Sequence, residues 1–202
     1  MSAMGQAGDS SMQTIKGVDV MNPTLVFLKS TVETWVDRLQ LVSKSFPQKQ
    51  NSYYLESTLV SLLAGSAWAN GLSALTEVKT KRAPMNVPEG TGRLDLLMQD
   101  SDRRIALEAK LIWNSELIID NVMGTLSAAC TEVISISGIK AQILLGCVFF
   151  VPWWNSKDQK EKLKSMTIDR YVNLKVDLKA CYYDQTLDFP GAILLASIAR
   201  PS

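Results

Sequence analysis

Histidine is absent from this chain, and that absence removes whole classes of chemistry. It excludes Ser-His-Asp and Cys-His nucleophilic catalysis, His-ligated zinc and any hydrolytic mechanism built on a histidine base. Cysteine is sparse. Cys130, Cys147 and Cys181 are widely spaced in apolar contexts, which predicts reduced core thiols of a cytoplasmic protein, not a disulfide set. Neither sign of charge dominates: 21 Lys and Arg against 20 Asp and Glu leave a net charge of +1, so nucleic-acid binding would need a local basic surface. Long apolar runs are lacking too. The longest, Ile143 to Trp154 and Ala192 to Ala199, are too short to span a bilayer. Met1 to Gln13 is rich in Gly, Ser and Gln and shows no apolar segment of a secretory signal. For hydrolysis, what remains is a carboxylate-bound hard cation, Mg²⁺ or Mn²⁺.

What is present suffices for one globular core: 202 residues, 47% of them hydrophobic. Residues 1–21 read as a disordered tail and 22–202 as a single domain, with an N-terminal helix over 22–46 and a core over 50–202. Asn22-Pro23 supplies a cap and a first-turn proline, and Leu25, Leu28, Val32, Trp35, Leu39 and Val42 recur at helical spacing. A second helix is predicted from Ser52 to Ala69, stopping at Asn70-Gly71. Thr76 to Thr80 reads as a strand and Arg82 to Thr91, with Pro84, Pro88 and Gly90, as a loop. Beyond a hairpin come a helix over Glu116–Ser135, a buried strand over Gln142–Val151 and a charged helix over Lys157–Ser165. Tyr171 to Leu178 reads as irregular or a weak strand, and Ile193 to Ile198 as the last strand. This order predicts an α/β fold, an α/β/α sandwich around a central mixed sheet.

The hairpin carries the chemistry. Gly92 to Met98 and Ile105 to Leu111 read as its strands, and Gln99-Asp100-Ser101-Asp102 as its turn. A turn centred between Ser101 and Asp102 sets Asp95 opposite Glu108, with Lys110 on the same face as Glu108. Leu94, Leu96, Leu107, Ala109 and Leu111 would fill the other face. Two opposed carboxylates repel, so removing either should stabilise the metal-free protein. A divalent cation between them reverses that sign, and a lysine beside them suits a site where negative charge develops. Against this stands the plain reading of a solvated hairpin face. The apolar embedding of Arg93, Asp95, Glu108 and Lys110 weighs against the plain reading.

A further carboxylate, Glu56, shares a helix face with Leu59, Val60, Leu63, Ala64 and Ala67. It could simply favour the positive end of the helix dipole, or it could reach the same cation as Asp95 and Glu108. Lys79, Lys81, Arg82 and Arg93 are candidate nucleic-acid contacts beside the site, although lysines at a strand end are commonly just solvated. Trp153-Trp154 could stack on bases, with a core or interface role the plainer alternative.

A helix bearing an acidic residue, a strand, Gly-x-x-Asp on the next strand and Glu-x-Lys on its partner resemble the PD-(D/E)xK nuclease superfamily, which has the restriction-endonuclease-like fold. Asp95 matches the family's Asp, Glu108 its Asp/Glu, Lys110 its Lys, and Glu56 the acidic residue of its first core helix. Arg93-Leu94 stands where the family often carries Pro, and the Gln-x-x-x-Tyr of its exonuclease branch is missing. The resemblance covers roughly residues 50 to 151 and extends to the last strand. It implies a metal-dependent nuclease, foremost a DNA endonuclease, with Mg²⁺ or Mn²⁺ held by Asp95, Glu108, the Ala109 carbonyl and Glu56. Lys110 would orient or deprotonate the metal-bound water and stabilise the charge that develops, and a lysine confined near two carboxylates favours the stabilising role. Cutting both strands of a duplex would need two sites, hence an expected homodimer through the first-helix stripe around Trp35 and Leu39 or through Trp153-Trp154. The alternative is a nuclease-fold protein that binds nucleic acid, or serves as an accessory subunit of a defence or phage assembly, without cutting.

Overall fold

Alternating faces of β-rich segments, joined by one helix long enough for a parallel crossover, set the architecture. The computed structural model describes residues 14–45, 55–82, 90–114, 118–153, 173–184 and 191–200. Its strands are β1 (Thr14–Val20), β2 (Ser73–Arg82), β3 (Gly90–Gln99), β4 (Arg104–Asn114), β5 (Ile136–Ser137), β6 (Ile143–Pro152), β7 (Leu178–Asp184) and β8 (Gly191–Ile198). The helices are α1 (Lys29–Ser45), α2 (Glu56–Ala69) and α3 (Ile119–Ile134), with a 3-10 turn over Pro23–Leu28 leading into α1. One eight-stranded sheet results, in the order β1-β7-β8-β6-β4-β3-β2-β5. Among the described residues β4 and β6 pair in parallel and the remaining neighbours are antiparallel. A parallel pair cannot be joined by a tight turn, and α3 supplies the crossover.

The two sheet faces build separate cores. On one, α1 and α2 bury Trp35, Leu39, Leu59 and Leu63 against Leu96, Leu107, Cys147 and Phe149. On the other, α3 packs Val122 and Leu126 against Val148 and Phe150, and Val133 against Leu94 and Ala106. α3 sits close because Gly146 lies beneath it. A Cβ at that position would come within 2.6 Å of the Cys130 backbone nitrogen. The α/β class and the mixed sheet with helices on both faces are as the sequence predicts.

Several segments differ from expectation. Thr14–Val20, assigned to a disordered tail over 1–21, forms the edge strand β1 beside β7. It is anchored where the Met21 and Asn22 N–H groups donate to the Asp177 carbonyl and Asn22 Nδ2 donates to Asp177 Oδ1. The expected helix over 22–46 begins as a 3-10 turn, and the Asn22 side chain caps it by accepting from the Thr24 N–H at 3.0 Å. β7 had no expected counterpart, because Lys179 and Asp184 interrupt its apolar pattern although both are buried. The first-helix stripe is consumed by the core: Trp35 and Leu39 have no exposed surface, so they cannot form the expected dimer contact. The expected charged helix over 157–165, residues 83–89 of the loop expected over Arg82–Thr91, and Trp154 lie outside the described residues. Arg82 ends β2, and Gly90 and Thr91 begin β3, instead of belonging to that loop. Trp153 is half-buried at the end of β6. No helix among the described residues is long and apolar enough to cross a membrane, and none of the three cysteines is in a disulfide.

Candidate active site

The β3–β4 register is the one the sequence predicts, with Leu96 opposite Leu107 and Gln99 opposite Arg104 around the expected turn. Pairing stops at Leu96 and Leu107, one step before Asp95 and Glu108 would face each other. There Asp95 turns its carboxylate into the gap between the strands, and its Oδ2 accepts a 2.7 Å hydrogen bond from the Ala109 N–H. Asp95 is therefore part of the hairpin's hydrogen bonding as well as a charge at its parting point.

A backbone distortion next to Asp95 accompanies this. The β2–β3 ladder runs through Thr76 and Leu96, omits Glu77 and Asp95, and resumes at Val78 and Leu94. Glu77 holds φ at +54°, a region that side chains other than glycine rarely occupy. Residues two apart on a regular strand share a face. Here Leu96 packs with the α1–α2 core and Leu94 with the α3 core, so β3 changes face at Asp95. For this reason Leu94 does not join Leu96, Leu107, Ala109 and Leu111 on one face, as the alternation had predicted.

Glu108 and Lys110 alternate with Leu107, Ala109 and Leu111 and project from β4 toward α3. Glu108 is 3% exposed, a carboxylate whose burial is costly without compensating charge. Lys110 Nζ stands 3.8 Å from Glu108 Oε1 and 2.7 Å from Glu132 Oε2 on α3. Burial opposes the Lys110 ammonium, but its hydrogen bond to Glu132 and the charges of Glu132, Glu108 and Glu56 outweigh that and raise its pKa. Lys110 is a cation here.

Glu56 is the first residue of α2, and the predicted stripe of Leu59, Val60, Leu63, Ala64 and Ala67 behind it is buried. Its carboxylate accepts from the Leu111 backbone N–H and interacts with Lys110 and Asp95. Burial and then the Asp95 charge push its pKa upward. Glu56, Asp95, Glu108 and Lys110 thus come together from three elements, as the sequence grouped them.

Glu132 was missed. Its signal was nonetheless available, since it is the single charged residue between Asn121 and Ile139, and beyond Asp120 in the first turn it is the one charge on the helix. It belongs to the site through Lys110.

The donor set suits a hard divalent cation in kind. Glu56, Glu108 and Glu132 act on one ammonium, Asp95 acts on Glu56, and the main-chain carbonyl of Ala109 adds a further oxygen of the type such ions take. In arrangement the set is open: among the described residues no three His, Cys, Asp or Glu side chains are gathered closely enough to hold an ion. A bound cation would have to draw Glu56 and Glu108 toward Asp95.

The basic candidates lie on the adjoining strand. Lys79 pairs across from Arg93 and Lys81 across from Thr91, which puts all three side chains on one face, exposed, opposite α3. Arg93 Nη1 lies 3.1 Å from Glu77 Oε2 in an exposed ion pair. Glu77, Lys79, Thr91, Gly92 and Arg93 line an open groove of about 630 Å³. Arg82, expected at the start of the loop, pairs its backbone with Gly90 and Ile136 instead.

No model of a known protein family, no curated protein and no solved structure matches this chain. The likeness to the PD-(D/E)xK nucleases therefore rests on these residues and their placement.

Proposed function

We propose that this protein is a metal-dependent nuclease of restriction-endonuclease-like fold, hydrolysing phosphodiester bonds of nucleic acid and of DNA foremost. One observation carries the reading: the β3–β4 hairpin and the start of α2 bring Glu56, Asp95, Glu108 and Lys110 into one charge-coupled cluster. A solvated hairpin face would not bury Glu108. The cation this site would take is Mg²⁺ or Mn²⁺, held by Asp95, Glu108, the Ala109 carbonyl and Glu56. When bound, such an ion polarises a phosphate and acidifies a water.

The chain's own groups have distinct tasks. Asp95 fixes the geometry, because its carboxylate is tied to the Ala109 N–H and so sets the spacing of the strands that present Glu108 and Lys110. Lys110, held charged, stabilises the negative charge that builds on the phosphate as the bond breaks. Its raised pKa makes it a poor proton acceptor near neutral pH, so it serves as an electrostatic group and not as the base. Lys79 and Arg93 line, with Lys81 on the same face, an exposed groove beside the kinked strands on the side of the sheet away from α3, along which a phosphate backbone could run.

The open arrangement of the carboxylates favours the second reading, a nuclease-fold protein that binds nucleic acid or a partner without cutting. Incubating the purified protein with supercoiled plasmid, single-stranded DNA and RNA, each with Mg²⁺, Mn²⁺ or EDTA, separates the two. Cleavage that requires the metal supports the nuclease. Retention of nucleic acid with no cleavage under any condition transfers the conclusion to the binding protein.

A further inference from the structure

Lys110 is held from two sides. Glu108 approaches from its own strand at 3.8 Å, while Glu132 reaches across from α3 with the shorter contact of 2.7 Å. The α3 side of this grip depends on how closely the helix approaches the sheet. Gly146 pairs with Glu108 in the β4–β6 ladder and lies directly beneath Cys130, two residues before Glu132. The absence of a side chain at Gly146 lets α3 settle low enough for Glu132 to span to Lys110. The buried residues of α3 are the apolar Val122, Leu126, Ala129 and Val133, and Glu132 is the charged residue that the helix presents to Lys110.

We propose that Glu132 is a positioning residue of this site, anchoring the Lys110 ammonium so that its charge stays fixed beside Glu108. The inference rests on the nuclease reading for its purpose, though not for its geometry. The physical need is specific. Without the Glu132 carboxylate the flexible lysine stem would let the ammonium fold onto Glu108 or swing toward solvent. Either move would take the charge away from a phosphate seated at the site. Glu132 on the far side balances that pull and keeps the ammonium in one place.

The test reads Lys110 directly by acylation with N-hydroxysuccinimidyl acetate and mass spectrometry, in metal-free buffer. In the wild-type protein Lys110 should react more slowly than the exposed Lys79 and Lys81. Glu132→Gln should speed Lys110 labelling about tenfold, the scale of losing a charge-assisted hydrogen bond, and Glu132→Asp should restore part of the protection. If the wild-type protein cleaves, Glu132→Gln should lower kcat with little change in KM. Lys110 labelling as fast as Lys79 in the wild type, or unaltered by a folded Glu132→Gln, overturns the proposal. The wild-type comparison stands even if the variant does not fold. A protein that protects Lys110 but cuts nothing keeps the anchor and refutes the nuclease reading alone.

Discussion

Truncating Asp95 separates its two roles, as a charge and as a hydrogen-bond acceptor. If it were only one of two opposed carboxylates, Asp95→Ala would stabilise the metal-free protein. The structure predicts the reverse, because the Asp95 carboxylate accepts from the Ala109 N–H where strand pairing ends. Losing a charge-assisted hydrogen bond and leaving a buried amide without a partner costs about 1.5–3 kcal/mol. Relief of repulsion on Glu56 returns about 1 kcal/mol at most for carboxylates in partial contact with water. The net expectation for Asp95→Ala is a loss of about 1.5 kcal/mol, a fall in Tm of roughly 3–6 °C for a chain of this size. Asp95→Asn keeps an oxygen that can accept from Ala109 and removes the charge, so its Tm should stay within about 2 °C of wild type. Thermal unfolding followed by circular dichroism in EDTA, with a urea titration as a check, measures both. An alanine variant as stable as wild type, or an asparagine variant as damaged as the alanine one, would refute the assigned hydrogen-bonding role.

Glu56→Gln should stabilise the metal-free protein at neutral pH, because burial and the Asp95 charge raise the Glu56 pKa and so penalise its carboxylate in the folded state. That penalty is full above the folded pKa and absent below the ordinary value of 4.5, so the gain should vanish as urea midpoints are measured toward acid pH. A gain independent of pH would contradict it. Trp35→Ala should cost about 3–5 kcal/mol and leave the mass seen by light scattering unchanged, since Trp35 is fully buried and donates to the Leu59 carbonyl at 3.2 Å. A change of oligomeric state in a folded Trp35→Ala protein would count against this. Native protein at pH 8 should show no fast-reacting thiol toward Ellman's reagent, and all three only after unfolding. Burial pushes the Cys181 pKa up to about 12, raises that of Cys147 well above its usual range and raises that of Cys130.

The parts of the fold legible in the sequence were those where periodicity and burial agree. The α1 stripe around Trp35, the α2 stripe behind Glu56 and the β3–β4 register all follow from apolar spacing, since one step of slippage would expose every buried side chain. The strands that escaped notice hide their pattern. β1 carries Lys16, Gly17 and Asp19 in seven residues and is held at the edge by Asp177, which lies far away in sequence. β7 buries Lys179 beside Asp19, at 3.6 Å, in a pairing that neither segment reveals alone. At the site the sequence grouped Glu56, Asp95, Glu108 and Lys110 because three of them lie on one hairpin. The change of face at Asp95 was not readable, because it depends on the positive φ of Glu77 on a neighbouring strand. Glu132 was legible only as an isolated charge. Its partner became known once α3 was seated on Gly146.

The central claim is that the carboxylates and lysine around the β3–β4 parting point hydrolyse phosphodiesters with a bound divalent cation. Cleavage of nucleic acid by wild-type protein and by Asp95→Asn, in Mg²⁺ and in Mn²⁺, tests it most directly, because the asparagine variant is expected to keep the fold while removing the charge. The account predicts metal-dependent cleavage by the wild type and a loss of at least about 100-fold in Asp95→Asn, the scale of removing one electrostatic group from such a site. Equal cleavage by both proteins, or cleavage that persists in EDTA, would contradict it.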